Sequence, residues 1–363
     1  MTGSSADALD VCLVNFSGVG RSPRYEVIDS YELSYPDHFK RYFLDPLRLS
    51  SDEIVSLDHE LGKWFASAIS SLNLDFDLIG SHGQTLKHEP PHFTLQIGYP
   101  DYMAHQFKVP VIYDFRSMDI QHGGQGAPLI PVVDEYLFKS TTEDMLALNV
   151  GGIANLTVIP AESNPAPVRA WDTGPGNTLI DRAVRQYSKG RLSYDRDGKI
   201  AAQGNLNPEL LQSCLSHDFY LQPPPRSAGQ EQFGETYFKR VFNMFPPRSD
   251  QEFKDLIYTL TVLTSKTIAH SIKTMSERYS PRQLIVGGGG GLNKTLMSEI
   301  SKECPSLSLS LLDLQGVNYK NKEAFGFAYL AYLFIHDLPG NIPGVTGAAR
   351  PVVLGKRCDP IKG

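Results

Sequence analysis

Trp171-Asp172-Thr173-Gly174-Pro175-Gly176-Asn177 places an acidic residue on a glycine-rich turn, between an apolar strand from Val168 to Trp171 and a helix opening near Thr178. Two further glycine-flanked turns accompany it: Gly3-Ser4-Ser5-Ala6-Asp7-Ala8-Leu9-Asp10 and Asn149-Val150-Gly151-Gly152-Ile153-Ala154-Asn155. Glycine lets backbone N–H groups approach an anion that a Cβ would hold off, and a helix N-terminus adds a favourable dipole. Three such turns in one chain point to a nucleotide gripped from several sides. A carboxylate at the Asp172 position, next to a γ-phosphate, orients or deprotonates a nucleophile or holds magnesium. An Asp after a strand is also a common helix cap; here Asn177 is free to take that part.

Outward from this turn, apolar runs alternate with helical periodicity. Asp10 to Phe16 reads as a buried strand, and Leu57, Leu61, Trp64, Phe65, Ala68 and Leu72 fall on one helical face. Phe76 to Gly80 is a short strand delivering Ser81-His82-Gly83-Gln84-Thr85, and Val109 to Tyr113 another delivering Asp114-Phe115-Arg116. Met145 to Val150 and Asn155 to Ile159 are two strands opening a second lobe. Leu221 to Gly229, with Pro223-Pro224-Pro225, is a long connection. Leu256 to Met275 is helical, and Gln283 to Val286 is a strand ending in five glycines, Gly287 to Gly291. Polar groups repeatedly follow strand ends, where ligands bind in open α/β sheets.

Several of these residues have plain structural readings. The five glycines followed by a helix to Ile300 and by Asp313 resemble a dinucleotide unit, but the last glycine of G-x-G-x-x-G is replaced. They also read as a structural turn. His82 has no second His, Cys or acid at metal-ligand spacing. Arg116 pairs in sequence with Asp119 as a surface ion pair or meets an anion or sugar, and Glu323 complements the dipole of its helix. Asp7 and Asp10 are either solvated loop acids or, for Asp7, a phosphate or magnesium group.

The chain has 363 residues, enough for two domains with a cleft. A net charge of −6 and a pI near 5.9 leave no basic surface for nucleic acid or anionic membrane. Cys12, Cys214, Cys304 and Cys358 form no CxxC pair, which fits a reducing compartment rather than a zinc knuckle or a disulfide framework. The longest apolar segment, Ala324 to Ile335, is too short to span a bilayer, and the amino end carries no signal-peptide pattern. A soluble, cytoplasmic protein acting on a small molecule is expected.

Taken together, the motifs resemble those of the anhydro-N-acetylmuramic acid kinase family, within the actin, Hsp70 and sugar-kinase superfamily. The resemblance rests on Gly3 to Asp10, Gly80 to Thr85, Thr94-Leu95-Gln96-Ile97-Gly98, and Asp114-Phe115-Arg116 with Gly123 to Leu129. It continues through Asn149 to Asn155, Asp172 to Asn177, Pro225-Arg226-Ser227-Ala228-Gly229, Gly287 to Gly289, Glu323-Ala324 and Pro343 to Ala348. It implies an α/β fold of two RNase H-like lobes with mixed sheets flanked by helices, with ATP and sugar in the interlobe cleft. The lobes would be 1–127 and 128–345, with 346–363 packing back on the first.

The implied reaction uses ATP, Mg2+ and water to open the 1,6-anhydro ring of anhydro-N-acetylmuramic acid and phosphorylate O6, in a homodimer serving peptidoglycan recycling. Asp172 would be the catalytic base. Gly3, Ser4, Ser5, Ala6, Asp7, Ala8, Leu9, Asp10, Gly151, Gly152, Asn155, Gly174, Gly176, Asn177, Gly287, Gly288 and Gly289 would bind ATP, with Asp7 toward magnesium. His82, Gln84, Thr85, Arg116 and Glu323 would contact the sugar. The family's phosphate loop follows an apolar strand, whereas only Met1 and Thr2 precede Gly3 here, so an inactive nucleotide- or sugar-binding homologue lacking that strand is the alternative. Ala8 stands where the family has glycine; its Cβ would cost about 1 kcal/mol if the site needs positive φ.

Overall fold

The computed structural model describes residues 1, 8–44, 49–224, 226–275 and 277–361. Its principal elements are β1 (Ala8–Ser17), β2 (Arg24–Ser34), α1 (Ser51–Ser70), β3 (Ile79–Gly80), β4 (Gln84–Glu89), β5 (Phe93–Ile97) and β6 (Val111–Tyr113). Then come β7 (Met145–Val150), β8 (Ile153–Ile159), β9 (Arg169–Pro175), α2 (Thr178–Tyr187) and α3 (Asp250–Lys273). The last are β10 (Gln283–Gly287), α4 (Lys294–Glu303), β11 (Ser308–Leu311), α5 (Lys322–Ile335) and β12 (Lys356–Cys358). They form two compact units, Met1–Tyr136 with Leu314–Gly363, and Leu137–Asp313. Residues 128–136 and 314–345, expected in the second lobe, therefore group with the first.

In the second unit five strands run in the order β11-β10-β7-β8-β9, with β11, β10 and β7 parallel and β8 and β9 antiparallel. The β7 sequence Met-Leu-Ala-Leu-Asn-Val is buried everywhere except Asn149, as a strand covered on both faces requires. Leu146, Leu148, Leu156 and Val286 pack with Ile268 of α3 and Leu296 of α4. The crossover β10–α4–β11 is parallel, but its sheet continues as an antiparallel meander rather than the parallel halves of a dinucleotide fold. That corrects the dinucleotide reading of the five glycines.

In the first unit β6 pairs with β3 in parallel and with β12 antiparallel, while β1–β2 and β4–β5 are hairpins. β1 is longer than its apolar run and mostly half-buried, because among the described residues β2 is its one ladder partner and, within β1, only Leu9 is fully buried. Helix α1 begins six residues before its first periodic leucine, since Ser50 and Glu53 close a reciprocal capping box. It buries Leu57, Leu61 and Phe65. The carboxyl-terminal segment is tied in by Asn341 and Thr346, which both donate to the buried Asp119 carboxylate at 2.7 Å. Asp119 is thus a structural anchor and not a surface partner of Arg116.

A cavity of about 710 Å³ lies within this unit, lined by β1, β3, α1 and α5 through residues such as Val11, Ile79, Phe65 and Ala331. At its rim Met1 and Asp10 exchange two backbone hydrogen bonds of 2.8 Å. No helix among the described residues is long and apolar enough to cross a membrane.

Candidate active site

The sheet register of the second unit sets Gly287 opposite Asn149, Asn149 opposite Asn155, and Asn155 opposite Asp172. One row across four strands therefore carries four of the motif residues. The turns beyond that row are knitted together. Gly176 N–H donates to Gly152 O at 2.9 Å, Asn177 N–H to Gly151 O at 2.8 Å, and the Asn177 side-chain amide to Val150 O at 3.1 Å. The Thr264 hydroxyl of α3 lies within reach of the carbonyls of Pro175 and Gly176, at 3.1 and 3.0 Å. Asn177 thus spends its side chain joining two turns and not capping α2, as the sequence led us to expect. Its N–H and that of Gly176 are likewise committed to carbonyls, so both residues shape the loop rather than present donors to a phosphate.

Gly151, Gly152 and Gly289 are different. Their N–H groups engage no backbone carbonyl among the described residues. A Cβ on Gly152 or Gly289 would meet nothing within 4 Å, and neither has positive φ. Neither backbone strain nor crowding asks for glycine there, and both backbones stand open on the Cβ side. Gly288 is the reverse case, with φ of +75° and an added Cβ placed 2.7 Å from Val150 O.

Asp172 lies inside β9, not on the turn after it. The register skips Thr173 between the pairs Ala154↔Gly174 and Asn155↔Asp172, a bulge of the kind that re-aims a side chain. The segment after the proline run lies along the Asp172 backbone: Asp172 N–H donates to Arg226 O at 3.0 Å, and Arg226 Nε donates to Asp172 O at 3.0 Å. Ala228 N–H then donates to Asp172 Oδ2 at 2.7 Å. Burial pushes the carboxyl up to about 6, against the lowering effects of the Ala228 N–H and the Arg226 charge, while Glu231 adds to the rise. A half-buried carboxylate with one backbone bond and a pKa near neutrality has the properties of a general base.

In the first unit Arg116 and His82 form a pair. Arg116 donates through Nε and Nη2 to His82 Nε2, at 3.1 and 2.9 Å, and through Nη1 to Gly126 O at 2.8 Å. His82 Nδ1 lies 2.8 Å from Gly83 O, so it carries the proton and the ring is neutral. Burial and the Arg116 charge hold that imidazole well below its usual range. Burial also lowers Arg116 to about 10, partly offset by Glu323, which leaves it cationic at neutral pH. Thr85 accepts from Gln96 at 3.2 Å. Gln84 is 4 % exposed, and its Oε1 has no hydrogen-bond partner among the described residues. An orphaned buried acceptor suits a hydroxylated ligand.

Gly3, Ser4, Ser5, Ala6 and Asp7 lie outside the described residues, and Ala8, Leu9 and Asp10 belong to β1 rather than to a loop. Among the described residues no three His, Cys, Asp or Glu side chains gather as a metal site. The motif Pro225-Arg226-Ser227-Ala228-Gly229 was legible, but that its arginine and alanine hold Asp172 was not. Thr264 gave no signal, being one threonine in a helix.

A family model described as anhydro-N-acetylmuramic acid kinase matches residues 1–359. Proteins named anhydro-N-acetylmuramic acid kinase are similar along nearly the whole chain. That of Prochlorococcus marinus (strain MIT 9313) is 37% identical, with 99% of this chain and 98% of that protein covered. That of Caldanaerobacter subterraneus subsp. tengcongensis is 36% identical, at 98% and 95% coverage. Among solved structures, a ROK family glucokinase from Streptomyces griseus in complex with glucose and AMPPNP aligns with a TM-score of 0.39 at 14% identity, over 88% of this chain and 99% of that one. The whole-length match and the identities near 36% show that this chain belongs to the anhydro-N-acetylmuramic acid kinase family.

Proposed function

We propose that this kinase hydrolytically opens the 1,6-anhydro ring of anhydro-N-acetylmuramic acid and transfers the ATP γ-phosphoryl group to O6. The observation that carries the reading is Asp172: a carboxylate raised to about 6, fixed by the Ala228 N–H, one strand from Asn155 and in register with the glycine turns. Water attacks the anomeric carbon as Asp172 takes its proton, and the bond from that carbon to O6 breaks. O6 forms its bond to the γ-phosphorus while the bond to the ADP oxygen breaks, giving N-acetylmuramic acid 6-phosphate and ADP. Coupling both displacements at one site removes the need for a free alkoxide.

The open backbones at Gly152 and Gly289 accommodate the nucleotide, and Arg116, His82, Gln84, Thr85 and Glu323 recognise the sugar. Magnesium would be held with the phosphates by Asp7 and would supply charge neutralisation for the phosphoryl transfer. Peptidoglycan recycling in the cytoplasm by a homodimer is the setting this reading gives the reaction.

Mass spectrometry of anhydro-N-acetylmuramic acid after incubation with protein, ATP and Mg2+ tests it. Gain of one water and one phosphoryl group together is expected. ATP binding with unchanged sugar would assign the inactive-homologue alternative instead.

Two expected outcomes follow from the site. Asp172 must be unprotonated to act, so kcat/KM should fall about tenfold per pH unit as pH drops below about 6. A pH–rate profile flat from pH 7 to pH 5 would remove Asp172 as the titrating base. Arg116→Lys keeps a cation but cannot reproduce the fork on His82 and Gly126, so the KM for sugar should rise about tenfold with the KM for ATP unchanged, read from initial rates.

A further inference from the structure

The surroundings of Asp172 place one group whose bonding pattern exceeds what a loop anchor needs. Arg226 is buried, and its guanidinium lies over the Phe219 ring at 4.9 Å. Every nitrogen of the fork is used: Nε on Asp172 O at 3.0 Å, Nη1 on Tyr220 O at 3.3 Å and Gln222 O at 2.7 Å, and Nη2 on Ser271 Oγ at 3.1 Å. Its carbonyl accepts the Asp172 N–H, and two residues later the chain delivers the Ala228 N–H to Asp172 Oδ2. One arginine therefore closes a ring of hydrogen bonds around the backbone of the acid and sets the position of the N–H that holds its carboxylate.

Resting on the ring-opening reading above, we propose that Arg226 is a positioning residue for the reaction: it fixes the Asp172 carboxylate for proton abstraction through the Ala228 N–H. It touches no substrate in this role. The geometric part follows from the bonds, since freeing the 226–228 segment frees the Ala228 N–H, the backbone donor on the carboxylate among the described residues. The electrostatic part has two charged contributors facing Asp172, Arg226 favouring the anion and Glu231 opposing it. Burial acts in the same direction as Glu231, and among the described residues Arg226 is the side-chain charge that restrains the rise.

Two substitutions separate the parts. Arg226→Lys keeps the charge and loses the planar fork; Arg226→Met keeps an apolar stem against Phe219 and loses both. The lysine variant should lose about tenfold in kcat with the acid limb of its pH–rate profile still near 6. The methionine variant should lose on the order of 100-fold in kcat, with KM for ATP and sugar within about threefold, and its acid limb should move up by about one unit.

A purely structural arginine would lower the melting temperature and the amount of active protein without moving the limb, and that result overturns the proposal. If the methionine variant does not fold, the lysine variant decides: wild-type kcat sinks the positioning role. A wild-type enzyme with no acid limb near 6, or an Asp172→Asn enzyme with full turnover, would fail the underlying reading itself, which the Arg226 variants alone cannot do.

Discussion

Asp172→Asn is expected to lower turnover by about 10³-fold while nucleotide and sugar affinities stay within a few-fold of wild type. The amide has the shape of the carboxylate, and its oxygen still accepts the Ala228 N–H that fixes Oδ2 at 2.7 Å. The bonds from Arg226 to the Asp172 backbone are untouched, because they run to the main chain. What disappears is the lone pair that takes the proton from water, and general-base catalysis is worth about 10²–10⁴ in rate. Because the variant cannot titrate, its residual activity should also lose the acid limb near pH 6. Turnover should be measured as ADP release dependent on anhydro-N-acetylmuramic acid, and affinity by calorimetry with a non-hydrolysable nucleotide. Near-normal turnover with an unchanged pH profile would move the base elsewhere.

Much of the second unit could be read from the chain because its signals are local. Met145–Val150 is apolar but for Asn149, Thr178 follows a Pro-Gly-Asn turn, and the strand at Gln283 ends in glycines; the structure places β7, α2 and β10 there. The first unit was harder. The β2 strand alternates irregularly around charged residues, and β4 opens on Gln84 and Thr85, which read as part of a ligand loop. Strand pairing is a non-local property, and no periodicity in Gln84–Glu89 announces its partner.

The candidate site shows the same division. Sequence spacing singled out Asp172 and the glycines, since each has a local chemical reason to be where it is. It misplaced Asp172 on the turn, because the bulge that carries β9 past it to Pro175 depends on pairing with β8. It gave the cap of α2 to Asn177, whose side chain is drawn instead to Val150 O on a neighbouring strand end. Which N–H groups face outward could be known only after the turns were joined. Gly176 and Gly152 look equivalent as letters, yet one donates inward to a carbonyl and the other does not.

Gly288→Val is expected to abolish measurable nucleotide binding and to cost about 2–6 kcal/mol of stability in the second unit. Two independent penalties meet at this position. The φ of +75° is strained for any residue with a Cβ and worst for a β-branched one, at about 1–3 kcal/mol. The Cβ itself would stand 2.7 Å from Val150 O and 2.9 Å from the Asn149 side-chain oxygen, and the added methyls make relief by a rotamer change unavailable. Overpacking of this kind costs about 1–3 kcal/mol. Relief requires moving the turn after β10 away from the end of β7, and that displaces Gly289 from Gly151 and Gly152, the backbones proposed to meet the nucleotide.

Gly289→Ala provides the contrast, because its Cβ meets nothing within 4 Å and its φ is not positive. It should leave the melting temperature within about 1 °C while weakening nucleotide binding by about tenfold, a loss of about 1.4 kcal/mol, by occupying space that a phosphate or ribose would enter. Differential scanning calorimetry with nucleotide titration on both variants separates the two effects. If Gly289→Ala bound nucleotide as wild type does, the open backbone there would serve no ligand, and the cradle would have to be drawn without the turn after β10.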